Sequence, residues 1–407
     1  MKWLALVACA CLTLRGADPA ELEARASEQK AKGDAAGALA SYEELATLEP
    51  QSAQVQDQVG FLLAVLNRRD EAAARFQKAI DLDPQFAPAH FHLGVAYWLA
   101  ENPDQAVPQL ESAVALDRNN FEYQVRLGTA LNSLSHFDEA LRVLTAATSL
   151  NPKSSEAWNA LGMARQKTSD LTGAVEAYQK AVDLDGSNLD ARNNLGCALV
   201  NTRRADEGVA QFRTVLQSDP ANNMARVNIG FAQLQKGEFD QAADTFREVV
   251  TRDPKLAAAH YDFGIALKQK DDIDGAKIEL KRALELDPSL AEAHYILGIA
   301  NWQSGNFDEA GTEMQAALDL RPDYSEAWFM LGTILKQKGD LAKAESALRT
   351  AIRLNPANPG AFNALGQLLR QKGDAEGSRK AFAEAAQIKE TKEAELGQML
   401  QKSPERH

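Results

Sequence analysis

Ten glycines, at residues 60, 94, 128, 162, 196, 230, 264, 298, 332 and 366, stand 34 residues apart without a break. Eight of the 14 prolines keep a second phase of the same period: Pro50, Pro84, Pro152, Pro220, Pro254, Pro288, Pro322 and Pro356, with Arg118 and Gly186 in the two gaps. Twelve residues after each glycine comes a small residue, such as Ala72, Ala174 or Ser378, and four further on a large apolar one, such as Phe76, Tyr178 or Phe382. Phases held over so many periods exclude an irregular globular domain. The chain must be a stack of one repeated element.

The element can be read from its own residues. Between 155 and 188, Ala157, Leu161 and Ala164, then Leu171, Ala174, Val175, Tyr178 and Val182, recur at helical spacing. This predicts two amphipathic helices joined at Thr168-Ser169-Asp170. Other repeats place Gly33, Gly237, Gly305, Gly339 or Gly373 at that turn, and glycine ends a helix by taking positive φ. Asp or Asn before the phased prolines, as at Asp83, Asn151 and Asp287, closes the second helix, which proline cannot continue. The phased glycine and alanine let the paired helices approach closely, and a large side chain at either should overpack the pair by roughly 1–3 kcal/mol. One pair cannot bury its apolar face, so stacking is obligatory.

The unit resembles the tetratricopeptide repeat (TPR). Its pattern is visible in Trp158, Leu161-Gly162, Ala174, Tyr178 and Ala181 after Pro152, and again in Trp328, Leu331-Gly332, Ala344, Leu348 and Ala351, followed by Pro356. Eleven repeats are expected within an array over 18–392: 19–52, 53–86, 87–120, 121–154, 155–188, 189–222, 223–256, 257–290, 291–324, 325–358 and 359–392. The first has Ala26 at the glycine phase but keeps Gly33, Ala38, Tyr42 and Pro50. The resemblance implies an all-α fold, a right-handed α-α superhelical solenoid whose first helices line a concave wall that binds protein or peptide. Asp18-Pro19-Ala20-Glu21 combines an N-cap with proline in the first turn, so order should begin there. Leu396, Met399 and Leu400 suggest a short C-terminal capping helix over 393–402, followed by a frayed tail to residue 407.

Met1-Lys2 and the apolar run Trp3 to Leu14 fit a secretory signal peptide over 1–17, which predicts export, to the periplasm or cell envelope of a bacterium. Leu6-Val7-Ala8-Cys9 resembles a lipobox, so Cys9 is a candidate for lipidation and the sole expected route to membrane association. No later stretch reaches the ~18–20 apolar residues of a transmembrane helix. With Cys9 and Cys11 in the start, Cys197 stands alone and no internal disulfide is expected. A formal net charge of −13 argues against duplex nucleic acid as a partner, because binding it needs cations to displace phosphate counterions.

The residues offer little to chemistry. No phosphate-binding loop, His-Glu-x-x-His or Gly-x-Ser-x-Gly occurs, so no enzyme and no cofactor are expected. His90 and His92, two apart on a helix, point to different faces and do not suit a shared metal. His90, His260 and His294 share the phase of Trp158 and Trp328, a packing position. Cys197 reads as a wall or core residue rather than a nucleophile. Lys236, Lys270 and Lys338 end first helices, where they complement the dipole.

The wall itself divides into two zones. Asn159, Asn193, Asn194 and Asn228 fall at its phases, and a carboxamide both donates to and accepts from a peptide backbone. The row is similar, in reduced form, to the asparagine ladder in the TPR region of O-linked N-acetylglucosamine transferase. Only Asn194 and Asn228 occupy that ladder's own phase, and the transferase's catalytic half has no counterpart here. Tyr261, Tyr295 and Phe329, with Trp302 and Ile299 beside them, form the second zone, suited to apolar or aromatic side chains unless these rings pack on the neighbouring helix instead. The carboxylate clamp of some TPR proteins needs Asn just after the phased glycine, where Phe61, Met163, Cys197 and Phe231 stand. The expected function is a non-catalytic scaffold or adaptor binding an extended peptide or partner helix. The alternatives are a component of an envelope secretion, pilus or polysaccharide-export assembly, or a regulatory subunit of an enzyme.

Overall fold

The computed structural model describes residues 18–402, with side chains described to residue 395; the expected signal peptide, Cys9 and the tail 403–407 lie outside them. Among the described residues there are helices and turns, and no strand. Two compact halves emerge, one up to Thr202 and one from Arg203. The division falls inside the sixth repeat.

In the first half the helices come in pairs: α1 (Pro19–Ala31) and α2 (Ala35–Leu48), α3 (Ala53–Val65) and α4 (Arg69–Leu82), α5 (Ala87–Leu99) and α6 (Pro103–Leu116). They continue with α7 (Phe121–Ser133) and α8 (Phe137–Leu150), α9 (Ser155–Lys167) and α10 (Leu171–Leu184), and α11 (Leu189–Asn201). The second half begins with α12 (Ala205–Ser218), α13 (Asn223–Lys236) and α14 (Phe239–Arg252), then α15 (Ala257–Gln269) and α16 (Ile273–Leu286). It ends with α17 (Ala291–Gln303) and α18 (Phe307–Leu320), α19 (Ser325–Gln337) and α20 (Leu341–Leu354), α21 (Pro359–Gln371) and α22 (Ala375–Lys402). Within each half first helices pack on their own second helices and, from α3 onward, on the first helix of the next repeat. This is an all-α solenoid of helix pairs.

The expected capping helix is not a separate element. One helix, α22, runs for 28 residues from Ala375 to Lys402, because Lys389-Glu390 replaces the Asp/Asn-Pro stop at that phase.

The phased glycines do what the pattern required. A Cβ on Gly162 would stand 2.6 Å from the Tyr178 ring, and one on Gly128 would stand 2.4 Å from Leu144. Tyr178, Phe76, Phe246 and Leu144, all buried, fill the space that the missing Cβ leaves. The turns share one conformation although their residues differ. Gly33, Gly237, Gly305, Gly339 and Gly373 take φ between 75° and 85°, while Asn67, Glu101, Ser135, Ser169, Arg203 and Asp271 take φ between 56° and 67° at the same phase. The ends of second helices are also uniform. Asp83, Asn151, Asp253 and Asn355 accept from the backbone N–H two residues on, at 2.9–3.2 Å, and so turn the chain toward the next repeat.

The position shared by Trp158 and the histidines has a role that hydrophobicity alone conceals. Trp158 and Trp328 donate Nε1–H to the carbonyls of Pro152 and Pro322 at 3.0 and 2.9 Å. Gln124 donates to Arg118, Arg192 to Gly186 and Arg226 to Pro220, while Nε2 of His90 and His260 lies 3.0 and 3.2 Å from the Pro84 and Pro254 carbonyls. Trp, His, Gln and Arg alternate here because each carries an N–H donor that satisfies one carbonyl in the inter-repeat loop.

Candidate functional site

The wall residues sit on first helices. Residues 35 apart meet on adjacent first helices. Asn194 on α11 donates Nδ2–H to Oδ1 of Asn159 on α9 at 3.0 Å. By the same spacing His92 Nδ1 meets the Asp57 carboxylate at 2.7 Å, and Trp302 Nε1 donates to Gln337 at 2.7 Å. The structure thus joins Asn159 to Asn194, with one amide holding the other. Asn193 is half-buried on α11, and Asn228 is half-buried on α13 of the other half.

The aromatic zone falls entirely within the second half. Tyr261, Tyr295, Trp302 and Phe329 are all half-buried, so each ring both packs and presents a face. Tyr295, Ile299 and Trp302 pack against one core cluster, Tyr261 against that of α14–α17, and Phe329 against that of α20–α22. Burial pushes the Tyr261 and Tyr295 phenols up to about 12, which keeps both neutral and able to donate a hydrogen bond.

Two neighbours, Tyr324 and Arg321, were not legible in the phases. Tyr324, the N-cap residue of α19, lies 4.9 Å from Tyr295 between ring centroids. The Arg321 guanidinium sits 3.5 Å above the Tyr324 ring and pairs with Glu292 at 2.5 Å. Tyr324 occupies a loop phase held by leucine in the two preceding repeats, and an aromatic at a cap was its one available signal. Phe231, just after a phased glycine, is 45% exposed on α13. An apolar residue at that wall phase was the clue.

Asp262 stands out electrostatically. It lies beside Tyr261 on α15, and burial raises its carboxyl to about 6. The residue 35 before it is Val227, which has no donor to offer where Asp57 and Asn159 each find a partner.

Other candidates resolve into structure. Burial pushes the Cys197 thiol up to about 11, so the thiol form dominates at neutral pH. His260 and His294 place Nδ1 2.6 Å from Glu279 and Glu313, and His90 places it 2.7 Å from Gln109. Among the described residues no group of three or more His, Cys, Asp or Glu could hold a metal, and no helix is long and apolar enough to cross a membrane. The lysines that end first helices also reach the preceding repeat: Lys236 meets Asp206 at 2.6 Å, Lys270 meets Asp240 at 2.7 Å, and Lys338 pairs with Asp308. Such exposed pairs contribute about 0–1 kcal/mol each.

Family models agree with this geometry. A tetratricopeptide repeat model matches residues 125–188, 193–257, 261–325 and 329–393, a TPR repeat model matches 62–100, and a further tetratricopeptide repeat model matches 87–120. Among solved structures, a crystal structure of MamA is 29% identical, covering 41% of this chain and 97% of that one at a TM-score of 0.39. MamA 41-end from Desulfovibrio magneticus RS-1 is 22% identical over 42% of this chain and 96% of that one, at 0.40. Yeast Tom70 is 15% identical over 95% of this chain and 97% of that one, at 0.47. No curated protein matches the chain.

Proposed function

The chain belongs to the tetratricopeptide repeat family, and from that premise we propose that it is a protein-interaction scaffold whose first-helix wall seats an extended polypeptide or a partner helix. One observation carries this reading. Tyr261, Tyr295, Trp302 and Phe329 are half-buried on successive first helices of one body, joined by the exposed Phe231. Rings anchored by packing on one side present area at little entropic penalty, and such residues dominate interface energetics. The neutral phenols of Tyr261 and Tyr295 would donate to a partner's carbonyls. The Asn159–Asn194 pair keeps one free amide hydrogen set and one carbonyl lone-pair set, enough to hold a backbone in either direction.

The reading is tested by affinity capture with the full chain and with a variant carrying alanine at positions 261, 295, 302 and 329. Capture of the same partners at undiminished yield by both would contradict it. The cationic start and apolar run before Arg15 support export, and mass spectrometry of the mature N-terminus checks both cleavage and lipid on Cys9.

A further inference from the structure

We propose that the first half carries a separate recognition pocket, on α3, α5 and α7, for a bulky apolar side chain flanked by carboxylates in an extended protein partner. The inference rests on the reading that the first-helix wall binds polypeptide, but it shares no residue with the aromatic zone of the second half. A cavity of about 450 Å³ opens there, lined by Phe61, Phe91, Val95, Leu99, His92 and Arg126 among others. Leu99 is 62% exposed and Phe61 38% exposed, so two large apolar side chains face solvent at one place rather than scattered singly.

The floor is held in shape from behind. Phe91 stacks on Tyr123 at 4.6 Å, and the His92 ring lies within 5.3–5.7 Å of Phe61, Phe76 and Phe91. His92 is fixed by Asp57, whose carboxylate is 1% exposed and engaged with that ring. A pocket built this way needs little reordering to bind.

Charge then selects the occupant. Arg126 is exposed and makes no hydrogen bond or ion pair among the described residues. Lys30 Nζ lies 5.3 Å above the Phe61 ring and bonds the neutral Gln58. One exposed carboxylate, Glu122, is also on the lining, and no ion pair joins it to Arg126 among the described residues. Two cations thus border an apolar floor in a chain of net charge −13. The complementary segment is acidic with an apolar centre, and a basic one would be repelled.

The test uses the full chain and three fluorescein-labelled nine-residue peptides. Their central residue is benzoyl-phenylalanine flanked by aspartates, the same residue flanked by lysines, or alanine flanked by aspartates. Fluorescence polarisation should show the first binding at least tenfold more tightly than the other two. Arg126→Glu should reverse the preference between aspartate and lysine flanks, and Leu99→Asp should weaken the first peptide at least tenfold while circular dichroism stays unchanged. Irradiation should crosslink the probe within residues 61–99. Equal affinity for all three peptides, or an aspartate preference that survives Arg126→Glu, overturns the proposal. Crosslinking within residues 261–329 overturns it as well but leaves the aromatic groove standing. Crosslinking at 61–99 in a chain whose aromatic wall captures nothing would do the reverse.

Discussion

The wall around α9 and α11 and the wall around α15, α17 and α19 share one backbone plan yet solve it with opposite chemistry. In the first, residues 35 apart are matched, Asn194 holding Asn159, as His92 holds Asp57 on the earlier helices α5 and α3. In the second, rings occupy the corresponding phases, Trp302 is matched to Gln337, and Asp262 has Val227, which carries no side-chain donor, 35 residues before it. A repeat fixes where a side chain stands, while the pairing of neighbouring repeats decides whether that side chain is already satisfied. Matched pairs give a rigid, quiet surface. Unmatched rings and a desolvated carboxylate leave binding potential unused.

The largest expected difference is in partner affinity. Alanine at Tyr295 and Phe329 together should weaken binding at least a hundredfold, about 2.7 kcal/mol or more, whereas alanine at Asn159 and Asn194 should weaken it less than tenfold. Isothermal titration with the captured partner separates the two, and comparable losses would erase the contrast between the walls.

Asp262 gives the next effect. A carboxyl raised to about 6 in the folded chain lies above its unfolded value, so the folded state holds the extra proton between about pH 4 and 6. Its contribution to stability therefore falls as pH rises through that window, and the penalty stands in full above it. Asp262→Asn should stabilise the chain by about 1–3 kcal/mol at pH 7.5 and leave it nearly unchanged at pH 4. Urea unfolding at the two pH values reads this directly.

Smaller still is the coupling between the paired amides. A double-mutant cycle with Asn159→Ala and Asn194→Ala should give about 0.5–1.5 kcal/mol, and a value near zero would mean the pair adds nothing to the first wall. The turns yield the least per site. Four of the five turns in the first half force a non-glycine residue to positive φ, against two of six in the second. Glu101→Gly or Ser135→Gly should stabilise by about 0.5–1 kcal/mol each, read as an upward shift in thermal midpoint, while Gly339→Ser should destabilise.

Most of the architecture was legible because it repeats. Gly162 and Tyr178 announce one helix contact, and the same contact recurs at eight other phased glycines. What lay outside the period was harder to read. The fusion of α22 with the expected cap follows from the absence of a stop at Lys389-Glu390. Trp158, His90, Gln124 and Arg226 hid a common N–H donor behind unlike side chains. In the site, Tyr261, Tyr295, Trp302 and Phe329 were visible from their phase, but the partnering of Asn159 by Asn194 depends on the rotation between neighbouring helices. Tyr324 and Arg321 sit in a loop, where no helical period points to them.

The central claim is that partners are held on the first-helix wall of the second half. A benzoyl-phenylalanine placed at Tyr295 should crosslink a purified partner, while the same probe at Ile278, an apolar side chain on α16 that is 67% exposed, should not. Crosslinking from position 278 with none from 295 would contradict the account.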